Sequence, residues 1–244
     1  MLGAAGAVGR ALVPGLALHD LRLFDRRADP AAGIARLDAR HLRTLTRRLR
    51  GCDAVVDLAS DARWDAPWES VYRNNIRLVH CTLEASARAG VKRVVYASSN
   101  QVAAGYERED PWAPVLRGEH DGADPGRLPR LSTEAQVRPC NAYGAGKVFA
   151  EAACRWYTET TGVSTVCLRI GTVLWPDRPR NERHFSTWLS HRDLAGHVNA
   201  AVLAPPKVRS AVTWAVSANT WRIWDVGDGT DWRYQPCDDA ERFR

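Results

Sequence analysis

Short apolar runs rich in β-branched residues recur along the chain, with helical stretches between them. Residues 21–25 (LRLFD), 54–59 (AVVDLA), 93–98 (RVVYAS) and 164–170 (STVCLRI) are the clearest. Runs with so few polar positions suit strands buried on both faces. A parallel sheet covered on both sides by crossover helices provides that environment. A weaker strand is predicted over 33–39. Helices are predicted over 8–18, 41–50, 68–89 and 142–161, the last two ended by Gly90 and Gly162, since glycine favours the left-handed helix stop. Two stretches break the rhythm. Residues 100–141 hold Pro111, Pro114, Pro125, Pro129 and Pro139 with little periodicity, and read as one long functional loop. After residue 171 the alternation fades into a helix over 186–203, a strand over 211–217 and a Trp-rich tail. The expected division is a main domain over 1–171 and a small cap over 172–244, packed on the same core.

The 244 residues suit one large domain, and 45% hydrophobic with 25% charged residues excludes disorder as the main state. No apolar run approaches the ~20 residues of a membrane span. The opening MLGAAGAVGR lacks the basic and long apolar regions of a signal peptide, so the cytoplasm is the expected compartment. Six scattered cysteines with no CxxC pair read as reduced thiols, and no His/Cys cluster suggests a metal. The net charge of +6 comes from arginines spread along the chain; RTLTRRLR at 43–50 has the spacing of a solvated helix face. A nucleic-acid partner is therefore not expected.

Gly3, Gly6 and Gly9 form a G-x-x-G-x-x-G turn before a small-residue helix. Residues without Cβ allow the tight turn and the close approach of a pyrophosphate that a dinucleotide site requires. Asp25 lies 19 residues after Gly6, at a strand end, where a carboxylate can bond both ribose hydroxyls. A carboxylate there favours NAD over NADP, although Arg26 and Arg27 can offset its repulsion of a 2′-phosphate. Such a turn needs a buried strand before it. Only Met1 and Leu2 precede Gly3, so the first strand reads as truncated. The expectation is an in-frame apolar β-branched run upstream, or a strand borrowed from a second chain.

Tyr143 and Lys147 form Y-x-x-x-K on a predicted helix and so share a face. With six tyrosines and three lysines in the chain, the expectation for a chance match is about 0.07. An ammonium beside a phenol lowers the phenol pKa, making Tyr143 a candidate base for a substrate alcohol. Ser98 and Ser99 end a strand where the carboxyl edge of a parallel sheet offers a ligand crevice. A surface helix pair and ordinary turn serines are the plainer alternatives.

Together these features resemble the extended short-chain dehydrogenases/reductases of the NAD-dependent epimerase/dehydratase family, over nearly the whole chain. GAAGAVGR, DAVVDLA, Asn75 in NNI, VKRVVYASSNQV and NAYGAGKVFAE carry the likeness. ASSN, CLRIGTV, RHFSTWLSHRDL and SANTWRIWD are similar to its uronate dehydrogenase-like branch. The resemblance implies an α/β, Rossmann-like doubly wound parallel sheet with a small C-terminal substrate cap. It implies hydride transfer from a sugar or uronic acid hydroxyl to NAD, with NADP as the alternative. Ser99, Tyr143 and Lys147 take the catalytic positions. Cofactor contacts fall on Gly3, Gly6, Ala7, Val8, Asp25, Asp38, Ala39, Leu58, Ala59, Ser60, Asn75, Ser98, Tyr143, Lys147 and Ile170. Substrate contacts fall on Ser99, Asn100, Gln101, Thr172 and Arg183, whose guanidinium suits a sugar carboxylate. The branch usually carries histidine at Gln101, and its Ser-to-Tyr interval is shorter, so the extra segment 107–132 is expected over the substrate crevice. Members often pair through the two long helices, which makes a homodimer the expectation. A sugar-nucleotide epimerase or dehydratase, and a non-enzymatic cofactor-binding member, are the alternatives. The short stretch after Lys147 weighs against the first, and the Ser/Tyr/Lys set against the second.

Overall fold

The computed structural model describes residues 1–227 and 231–244. The apolar runs become β1 (Leu23–Asp25), β2 (Ile34–Arg36), β3 (Ala54–Asp57), β4 (Arg93–Ser99), β5 (Ser164–Ile170) and β6 (Ser210–Ala215), and every strand pair is parallel. β1 pairs with β2, and β3, β4, β5 and β6 lie side by side in that order. Leu2 joins the two groups through parallel bridges to Phe24 and Asp57. Its amide donates to Val56 O at 2.9 Å and its carbonyl accepts from Leu58 N at 3.1 Å, while Met1 O accepts from Phe24 N at 3.0 Å. Leu2 thus stands between the two groups as a single bridging residue, where the glycine turn begins.

Side chains alternate across the sheet as the period of two requires. Val55, Val94, Tyr96 and Cys167 face α2 (Leu42–Leu49), α4 (Arg77–Ala89) and α6 (Ala142–Thr161), with Leu45, Leu83 and Cys154 filling that layer. Val56, Val95, Ala97, Val166 and Leu168 face the opposite way, onto α1 (Ala7–Leu12) and α8 (His191–Leu203), where Leu12, Leu194 and Val198 pack. Arg93, buried at the start of β4, donates to the carbonyls of Ala201, Val202 and Ala204 and so satisfies the C-terminal end of α8. Among the described residues, no helix is long and apolar enough to cross a membrane.

The structure departs from expectation in four places. The first helix stops at Leu12 and tightens to a 3₁₀ turn over Val13–Leu16, because Pro14 has no amide to donate. The 68–89 helix is continuous but has three parts: α3 (Trp68–Val71), a π-helical turn over Tyr72–Ile76, and α4. The segment 100–141 is structured. It holds 3₁₀ turns over Asn100–Arg108 and α5 (Trp112–Leu116), because Val102, Leu116 and Leu131 bury themselves against Trp214 and Trp224. The single helix expected over 186–203 is two, α7 (Glu182–Thr187) and α8, since the Ser190 hydroxyl caps α8 by accepting from Asp193 N at 2.9 Å. The C-terminal stretch also supplies β6 to the main sheet.

Candidate active site

Two features meet at the carboxyl edge of the sheet. The first is a cavity of about 330 Å³ lined by Gly3, Gly6, Asp25, Ala39, Leu58, Ala59 and Ser60 from the predicted set. Backbone geometry shapes it. Gly3 has φ +78°, and a Cβ there would lie 2.8 Å from Ala59 N; a Cβ on Gly9 would lie 2.6 Å from Gly3 O. Asp25 accepts from Ala5 N at 3.1 Å through one carboxylate oxygen and from Arg27 N at 3.0 Å through the other. These bonds fix the carboxylate at the rim, where a ribose fits. The turn without side chains and this carboxylate fit the adenosine half of a dinucleotide.

Other predicted cofactor residues stand off that wall. Ala7 and Val8 form the first turn of α1. The Asp38 carboxylate is held by Arg40, Nε at 2.9 Å and Nη2 at 2.6 Å, and the guanidinium brings its pKa down to about 2. Leu37 and Ala39, on either side, line the cavity instead. Asn75 is buried on the π-helical turn and clamps Asp61, accepting from its amide at 2.9 Å and donating to its carbonyl at 3.1 Å. The neighbouring Asn74 reaches the cavity. A π turn of this kind re-aims side chains on a helix. Ser98 turns its hydroxyl away to Glu151 Oε1 at 2.5 Å, and Glu151 is locked bidentately by the buried Arg169.

The second feature is the Ser/Tyr/Lys group. Ser99 and Ile170 are register partners at the ends of β4 and β5. Asn141 caps α6 by accepting from Gly144 N at 2.7 Å and donates to the Gln101 side chain at 2.9 Å. A Cβ on Gly144 would lie 2.5 Å from Gln101 O, so glycine is what lets the segment after Ser99 rest on the start of α6. Tyr143 and Lys147 are both buried. Burial pushes the Tyr143 hydroxyl above the ordinary tyrosine value, and the Ser99 hydroxyl beside it opposes the shift. The lowering by Lys147 expected from the spacing is not what the chain alone produces. The Lys147 ammonium donates to Ala97 O at 2.6 Å and Tyr96 Oη at 3.2 Å, and stands 5.5 Å from the Tyr143 ring centroid. Burial brings Lys147 down to about 8, opposed by the Asp57 carboxylate. Asp57 is itself raised to about 6 by burial.

On the substrate side, Asn100 is buried, with Nδ2 making no hydrogen bond to the described residues. Thr172 Oγ1 meets Thr187 Oγ1 at 2.7 Å. Arg183 is already paired, bidentately, with Glu107.

The family model of the NAD dependent epimerase/dehydratase family matches residues 1–208. The chain belongs to that family. It is 34% identical over 218 residues to L-arabinose 1-dehydrogenase (NAD(P)(+)) of Haloferax volcanii, covering 89% of this chain and 81% of that one. It is 32% identical over 256 residues to uronate dehydrogenase of Pseudomonas syringae pv. tomato, covering 100% of this chain and 83% of that one. The fold is similar to a mutant uronate dehydrogenase from Agrobacterium tumefaciens complexed with NAD, with TM-score 0.82 and 29% identity, over 99% of this chain and 85% of that one. The Rossmann-like sheet and the place of the glycine turn agree with membership of the epimerase/dehydratase family. Sequence reasoning did not find Phe24, Asn74 and Leu78 in the cavity wall, nor Asp57 and Tyr96 around Lys147. Their signal is positional, within strands and on one helix face, and their residue types do not announce it.

Proposed function

We propose that the chain is an NAD-dependent dehydrogenase that oxidises a hydroxyl of a sugar or sugar acid. The observation that carries this reading is the placement of buried Tyr143 beside Ser99, with Lys147 one helical turn on, at the sheet edge that also holds the glycine-turn cavity. Tyr143 reacts as the phenolate: its ionised Oη takes the proton of the substrate hydroxyl as the carbon gives up hydride, and Ser99 Oγ holds the reacting oxygen. NAD, when bound, supplies the hydride acceptor. Gly3 and Gly6 leave room for its pyrophosphate, and Asp25 bonds its adenosine ribose and favours NAD over NADP. Lys147, fixed on Ala97 O, keeps a positive charge on the Tyr143 side of the crevice and favours the ionised phenol as the proton moves. The arabinose and uronate dehydrogenases among its relatives support a sugar substrate.

The six free thiols suit the cytoplasm. A homodimer through α4 and α6 is supported by exposed Tyr72, Phe149 and Trp156 around a groove of about 510 Å³. The deciding experiment follows NADH absorbance with purified protein, NAD and a panel of aldoses and uronic acids. NADH formation with one of them is expected; none with any of them overturns the reading.

A further inference from the structure

Arg183 faces a carboxylate that belongs to the chain. Its Nε donates to Glu107 Oε2 at 2.6 Å and its Nη2 to Glu107 Oε1 at 2.8 Å. This two-bonded fork is the geometry with which a guanidinium would read a ligand carboxylate. Ser99 and Ile170 end neighbouring strands side by side. Two residues beyond Ile170, Thr172 donates its amide to Thr187 O at 2.7 Å and shares a hydroxyl contact with Thr187. Arg183 precedes Thr187 by one turn of α7 and so shares its face. Glu107 comes from the other wall, on the 3₁₀ segment that begins directly after Ser99. The ion pair therefore ties together the segment that follows Ser99 and the segment that follows its strand neighbour Ile170. Glu107 is sheltered, at 12% side-chain exposure, and Arg183 is partly exposed, at 32%.

We propose that Glu107 determines specificity: it occupies the guanidinium that a sugar acid would need, so the substrate is a neutral aldose and uronates are rejected. This rests on the dehydrogenase reading above. A uronate would have to displace Glu107 from Arg183. That leaves one sheltered carboxylate without its partner and brings a second carboxylate next to it, and both effects oppose binding. A neutral sugar asks for neither.

The test compares kcat/KM with NAD for glucose, galactose and arabinose against glucuronate and galacturonate, in wild type and Glu107→Gln. The wild type is expected to favour each neutral sugar at least tenfold over its acid. Glu107→Gln is expected to raise kcat/KM for the acids at least tenfold and to change the neutral sugars less than threefold. A wild type that favours the acids overturns the proposal and needs no variant to show it; so does a preference that Glu107→Gln leaves in place. Saturation-transfer NMR with glucose and glucuronate, with and without NADH, reads binding apart from turnover. Glucose is expected to bind the wild type, and glucuronate only the variant. If no sugar yields NADH but this binding switch appears, the dehydrogenase reading fails and the specificity proposal stands. Glucuronate binding equally to both proteins, or neither sugar binding to either, overturns the proposal.

Discussion

On the cofactor side of the crevice the walls are mostly backbone. Gly3 rests against the amide of Ala59, Gly9 against the carbonyl of Gly3, and Asp25 on the amides of Ala5 and Arg27. Around the residues proposed for the substrate, the contacts are side-chain pairs between segments far apart in the chain: Arg183 with Glu107, and Asn141 with Gln101. The first kind of wall depends on residues that lack a Cβ and on local spacing. The second depends on two particular side chains arriving at the same place. A backbone wall recognises what all dinucleotides share, whereas side-chain pairs can be exchanged one at a time, so substrate choice is the property free to vary.

The largest expected effect separates the two sides. Tyr143→Phe should lower NADH formation by about 10²–10⁴-fold, the usual size of a lost general base. NAD affinity by calorimetry should move less than twofold, because the hydroxyl is not part of the cavity wall. An equal loss of affinity would place Tyr143 on the cofactor side and blur the distinction.

Asp57 tests what burial does beneath the cofactor wall. Its folded pKa of about 6 exceeds the ordinary 3.8. Between those values the native state holds the proton that the unfolded chain has released, so stability falls as pH rises through this window. The fall is on the order of 3 kcal/mol. Urea unfolding at pH 4 and pH 7 should show it in the wild type, and Asp57→Asn should remove most of it. An unchanged pH slope in the variant would mean that another group titrates there.

Gly3→Val tests the backbone wall itself. The new Cβ meets Ala59 N at 2.8 Å in a backbone conformation that valine avoids, with strain on the order of 1–3 kcal/mol. NAD affinity should fall roughly 10–100-fold, and the melting temperature should drop. Normal affinity would show that this wall gives way as readily as a side-chain pair. The smallest effect is expected from Arg138→Ala. Its pair with Glu109 is exposed, at 36% and 49%, and exposed pairs contribute little. The urea midpoint should stay within error, and a clear drop would show that the 3₁₀ segment depends on this pair for its seat on α6.

Much of the architecture is legible in the sequence. The bounds of α6 and β5 match the predicted ones, because a helix stopped by Gly162 and a short run rich in β-branched residues depend on neighbours close in sequence. Leu2 is a different case. Two residues read as too short for a strand, yet Leu2 bridges to strands on both sides, which depends on where Phe24 and Asp57 lie in space. The segment 100–141 misled for a related reason. Its order comes from burial against Trp214 and Trp224, and such packing leaves no period in the sequence.

By itself the sequence determined the parallel sheet, the glycine turn with its acidic partner, and the joint presence of Ser99, Tyr143 and Lys147. The sheet, the glycine turn and the Tyr143/Lys147 pair follow from residue types and spacing, where steric and periodic rules apply directly; Ser99, 44 residues before Tyr143, joins them through the family resemblance. Only the tertiary structure decided what those groups face. It turned Ser98 toward Glu151, committed Asp38 to Arg40, and aimed Lys147 at Ala97 and Tyr96. It also closed Glu107 on Arg183, 76 residues away in the chain. A charge finds its partner through distance and burial, and both are set by how the chain folds back on itself.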